Sequence, residues 1–125
     1  GIHAVYNIYN ATRITEFREF AAEQGVSVLW QNLFQPDYLD PFLHGKEVAE
    51  PAAAEIERFY ATGLATPADR GFLDQALRNY RAVTESKPAM ASKLAKHIQE
   101  IETQYHPDQA GQFAKLWPEF ESLIK

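Results

Sequence analysis

The sequence predicts a mostly helical α/β fold: an N-terminal βαβ unit with two parallel strands, followed by four to five α-helices. Three observations carry this reading. Residues 2–9 (IHAVYNIY) and 26–34 (VSVLWQNLF) are rich in β-branched and aromatic residues and free of Gly and Pro, the composition of strands. Between them Ile14, Phe17, Phe20 and Ala21 recur at helical spacing. From residue 46 onward every apolar stripe has helical period and is punctuated by prolines and glycines.

The elements follow in chain order. The helix after the first strand can be capped by Asn10 or Thr12 and closed by Gly25. The second strand, apolar at both alternating sets of positions, is expected to be buried on both faces. A strand, a crossover of this length and a second strand make a parallel, right-handed unit. Pro51 can sit in the first turn of a helix with the stripe Ile56, Phe59 and Tyr60, stopped by Gly63. Thr66, Pro67 and Asp69 supply an N-cap, a first residue and a first-turn acid for a helix whose face is Phe72, Leu73, Ala76, Leu77 and Tyr80. Pro88 opens another helix, with Met90, Leu94, Ile98, Ile101 and Tyr105 in its stripe, ended by HPDQ. A short helix holds Phe113 and Leu116, and Trp117-Pro118 starts a last turn with Phe120, Leu123 and Ile124.

A chain of 125 residues makes a single domain, 1–125, divided into the βαβ unit (1–34) and a helical part (46–125). With a net charge of −5 and its lysines and arginines scattered among acids, it lacks the basic footprint of a nucleic-acid binder. The absence of cysteine excludes disulfides, thiolate catalysis and Cys-held zinc or iron within these residues. No apolar run approaches the roughly 20 residues that span a bilayer, and the first residues lack a signal-peptide pattern. A soluble, cytoplasmic protein without membrane or nucleic-acid partners is therefore expected. Its start on Gly1 rather than Met suggests a trimmed tag or an excised fragment.

Two parallel strands alone are marginal in water and leave unpaired edges. Either a second copy completes the sheet, giving a homodimer through strand edges, or the chain is the tail of a larger α/β protein. Three stretches bear on the choice: VYNIYNATRITEFREFAAEQGVSVLWQN, PDYLDPFL and DQAGQFAKLWPEF. Together they resemble the C-terminal portion of twitch domain-containing radical S-adenosylmethionine proteins. Asn32, Pro36, Tyr38 and Leu39 match that family's loop, and Asp108, Gly111, Gln112, Phe113, Trp117, Pro118 and Glu119 match its tail. Two features depart from the family: the Cys-x3-Cys-x-x-Cys cluster motif is absent, and Ala110 stands where an arginine is expected.

The resemblance implies the end of a partial (β/α) barrel, the substrate-side part of an enzyme whose iron–sulfur cluster and S-adenosylmethionine belong to a missing cluster-binding half. Strand carboxyl ends face the active site in such barrels, so Asn7, Gln31, Asn32, Asp37 and Tyr38 would lie near substrate or cofactor. No catalytic, cofactor-binding or metal residue is assigned in this chain, and none of its chemistry is expected from the chain alone. The plainer reading gives Asn32 and Asp37 to local turns and uses Tyr38 and Phe42 as core plugs. The alternative function is a stand-alone helical binding or oligomerisation module.

Other residues carry less. His3, His44, His97 and His106 show no metal-ligand spacing, and His97, set within an apolar stripe, is expected to be a partly buried structural residue. The pairs Glu47/Glu50 and Glu55/Glu57 read as a solvated face. Lys93, Lys96 and Lys115 are too interspersed with acids to form an anion patch, and no nucleophile elbow or phosphate loop occurs.

Overall fold

The computed structural model describes residues 1–33, 35–104, 108 and 111–124. β1 (Ile2–Tyr6), α1 (Ile14–Glu23) and β2 (Val28–Asn32) form the βαβ unit. Five helices follow among the described residues: α2 (Lys46–Ala61), α3 (Pro67–Arg81), α4 (Pro88–Gln104), α5 (Gln112–Leu116) and α6 (Glu121–Ile124). The strands pair in parallel, Ile2 opposite Val28 and Tyr6 opposite Asn32. This is the mostly helical α/β order that the sequence predicts. Expectations at Phe34, Tyr105, His106 and Ala110 lie outside the described residues. No helix among the described residues is long and apolar enough to cross a membrane.

The start of α3 forms as its sequence dictates. The Thr66 side chain accepts from the Asp69 N–H, the Asp69 carboxylate accepts from the Thr66 N–H, and Pro67 occupies the first turn. Two other helix starts differ from expectation. α1 opens at Ile14 without a local side-chain cap, because Asn10 is bonded to the Asn7 N–H and Thr12 to Glu119. Its cap comes instead from α2, where the Glu55 Oε2 accepts the Thr15 N–H at 2.9 Å and places a negative charge at the helix N-terminus. Glu55 is therefore buried rather than on a solvated face. α2 begins at Lys46, which leaves Pro51 inside the helix. The earlier start follows from packing: a Cβ on Gly45 would lie 2.6 Å from the Glu85 carbonyl oxygen and the Lys87 nitrogen, so only glycine lets these backbones approach.

The expectation that β2 is buried on both faces fails. α1, α2 and α3 all pack on the face carrying Ala4, Tyr6, Val28 and Trp30. The opposite face, with His3, Val5, Leu29 and Gln31, is exposed, Leu29 by 51% and Val5 by 40%. All three helices go to one side because the buried charges and aromatic rings that hold them, Arg18, Asp69 and Trp30 among them, point to that side. A second core gathers around Ile8, just past β1, with Val48, Leu94, Ile98, Phe113, Phe120 and Leu123.

Candidate functional site

In open parallel sheets ligands bind beyond the carboxyl ends of the strands. Here each strand end is built differently. After β1 the chain folds into a tight polar turn: the Asn7 Oδ1 accepts the Tyr9 N–H, and the Asn7 and Asn10 side-chain amides both donate to the Val5 carbonyl. The chain's tail clamps this turn. Trp117 donates its indole N–H to the Tyr9 carbonyl at 3.0 Å, Thr12 donates to Glu119 at 2.7 Å, and Arg13 lies over the Trp117 ring and bonds the Leu116 carbonyl. The Trp-Pro-Glu segment of the tail therefore acts as a strap across the turn after β1.

After β2 the loop makes two 3-10 turns, Asp37–Leu39 and Pro41–Leu43. Asp40 caps the second by accepting the Phe42 N–H at 3.0 Å. Tyr38 packs on the second core and Phe42 on the first, so the loop joins the two clusters. His44, 1% exposed, locks it by donating from Nε2 to the Tyr38 carbonyl at 2.8 Å. Its Nδ1 is buried without a partner among the described residues. Burial holds the His44 pKa below the usual histidine value.

Two hollows flank the loop. One, of about 590 Å³, is lined by Asn32, Asp40, Phe42, Phe72, Gln75 and Asn79. The other, of about 380 Å³, is lined by Asp37, Tyr38, Lys93, Lys96, His97 and Glu100. In the second, Lys93 pairs with Asp37 at 3.0 Å and holds its carboxyl below the usual range, and the Tyr38 hydroxyl meets the His97 Nδ1 at 3.2 Å. His97 is half-buried against the Tyr38 ring, the partial burial its place in an apolar stripe predicts.

Comparison of the chain with protein-family models, with curated proteins and with solved structures finds no match.

The five sequence candidates do not converge. Asn7 is engaged in the turn after β1, Gln31 sits on the open sheet face, Asn32 lines the first hollow, and Asp37 and Tyr38 line the second. The polar residues that join Asn32 are Asp40, Gln75 and Asn79, which the sequence reading did not single out. A cap position before Pro41-Phe42 was the available sign for Asp40. The iron–sulfur cluster implied by the resemblance does not fit these residues. The chain has no cysteine, and among the described residues no three His, Asp or Glu side chains group to hold a metal ion.

Proposed function

We propose that the chain is the substrate-side part of a larger parallel-sheet enzyme of the radical S-adenosylmethionine type and carries no catalysis by itself. The observation that supports this reading is the one-sided covering of its sheet. In a barrel the crossover helices lie outside and the other strand face looks into the chamber. α1, α2 and α3 occupy the outer side in this sense, and His3, Val5, Leu29 and Gln31 would then form chamber wall. The Ile2 N–H and the Tyr6 carbonyl bond toward β2, so the peptide groups of His3 and Val5 turn outward. The Val5 carbonyl is already taken by Asn7 and Asn10, which leaves the His3 end of β1 as the place for an incoming strand. The cluster and S-adenosylmethionine would come with the half that supplies this strand.

Co-purification with the product of a neighbouring reading frame bearing Cys-x3-Cys-x-x-Cys tests the reading, followed by amide hydrogen exchange in β1. A stoichiometric complex with slowed exchange at residues 2–6 is expected. A chain that stays alone, with β1 exchange unchanged, overturns it.

The same edge supports a second reading, a binding module that pairs β1 with β1 of another copy about a two-fold axis. Light scattering separates the two. A dimer mass abolished by His3→Pro, which removes an outward N–H from the β1 edge, favours the copy, and a monomer mass that persists at micromolar concentration removes it.

A further inference from the structure

Among the described residues three carboxylates are buried: Asp40, Glu55 and Asp69. Two of them have a cation at hand. Asp69 pairs with the Arg18 Nη2 at 3.0 Å, and Glu55 with the Arg58 Nε at 2.8 Å. Asp40, 4% exposed, has none. One of its oxygens accepts the Phe42 N–H, and the other bonds no described residue. His44 faces it but is held neutral by burial and turned to the Tyr38 carbonyl. An isolated buried carboxylate is costly, and burial accordingly pushes the Asp40 pKa above its usual range.

The surroundings of this carboxylate are those of a ligand site. Asp40 lines the 590 Å³ hollow together with Asn32, whose Oδ1 is buried beside it and has no donor among the described residues. The Phe42 and Phe72 rings form its apolar wall, with centroids 6.5 Å apart at 58°. Aromatic faces attract cations, and a carboxylate with an amide oxygen takes N–H donors. A calcium or magnesium ion needs six or more oxygens, more than these two side chains offer. An anion would meet Asp40 as a like charge.

We propose that this hollow binds an organic cation, an ammonium or guanidinium group on a short apolar stem. Asp40 is its counter-ion, Asn32 its second acceptor, and the touching Phe42 and Phe72 rings form the one apolar wall against which the stem lies. The cation belongs either to a free small molecule or to a Lys or Arg side chain of a partner protein. The site is formed within this chain and does not depend on the missing-half reading above.

Amide NMR titration of the full chain with butylguanidinium and butylammonium tests the proposal, with 1-butanol as the neutral control. Saturable shifts are expected at Phe42, Phe72, Gln75 and Asn79 with the cations and not with butanol. Asp40→Asn keeps an acceptor for the Phe42 N–H and removes the charge, so it should weaken binding by about tenfold or more while the spectrum stays folded. Phe72→Leu keeps an apolar wall without the ring and should weaken binding less. A Gly-Arg-Gly peptide separates the sources: tighter binding than the free cations points to a partner side chain, and equal or weaker binding to a small molecule. Absence of saturable shifts, or equal response to butanol or in Asp40→Asn, overturns the proposal.

Discussion

Arg18 and Asp69, 51 residues apart in sequence, meet as a buried ion pair that joins the crossover helix to the N-terminus of α3. Asp69 also accepts the Trp30 indole N–H at 2.9 Å and the Thr66 N–H, so one carboxylate fixes α1, β2 and α3 together. Burial raises its pKa, but these hydrogen bonds and the Arg18 charge outweigh burial and leave it below the usual value.

Removing one partner of this pair leaves an uncompensated buried charge, so Arg18→Met or Asp69→Asn should cost about 3–5 kcal/mol. Urea unfolding followed by circular dichroism measures it. The double variant should lose much less than the sum of the two, because neither charge is then left alone. A fully additive double variant would show that the pair is not coupled.

The hydroxyls of Tyr80 and Tyr6 meet at 2.7 Å inside the first core, with Tyr80 the donor. Burial drives both pKa values far above the ordinary tyrosine value. Neither should form tyrosinate before the chain unfolds in alkali, which tyrosinate absorbance during a base titration can follow. Tyr80→Phe leaves the Tyr6 hydroxyl without its partner and should cost about 1–3 kcal/mol, whereas Tyr6→Phe with Tyr80→Phe should cost less than either single change.

His44 gives the loop a pH response with a defined sign. Its folded pKa lies below the unfolded value of about 6.5, so the neutral form is favoured in the native state. This contribution is fully present above the unfolded pKa and is lost as pH falls below it, because the unfolded chain then takes up the proton. Between neutral pH and mildly acidic pH the protein should lose more stability than its His44→Gln variant. Parallel melting curves that keep the same offset across this range would refute the assignment.

Trp117→Ala should release the tail strap. Trp117 is only half-buried, so the cost should fall below the roughly 3–5 kcal/mol of a fully buried tryptophan. Hydrogen exchange should accelerate at residues 112–123 and in the Asn7–Arg13 turn while α3 stays protected. Uniform acceleration across the chain would show that the strap is part of the global fold rather than a local closure.

Much of the fold was legible because it depends on local chemistry. Thr66, Pro67 and Asp69 announce a helix start within four residues, and the Leu94 and Ile98 stripe gives α4 its period. What escaped is set by contacts distant in sequence. Glu55 looks like a surface acid until Thr15, 40 positions earlier, needs a cap. Val5 and Leu29 look like core residues, and only the placing of three helices on one side leaves them exposed. The site was less legible still. Of its polar residues only Asn32 stood out in the sequence, because Gln75 and Asn79 meet it only when α3 folds across the end of β2, and Asp40 only when the loop after β2 turns back as two 3-10 turns.

The tail strap also sets an order of events during synthesis. The Tyr9 carbonyl and the Thr12 hydroxyl bond Trp117 and Glu119, residues 108 and 107 positions later. At ribosomal rates of about 5–20 residues per second, the turn after β1 waits about 5–20 s for the residues that close it. Closing so long a loop also carries an entropic cost that no local contact can offset in advance. On the ribosome the βαβ unit can therefore collapse first against α2 and α3, and the turn stays open to water until residues 117–119 emerge.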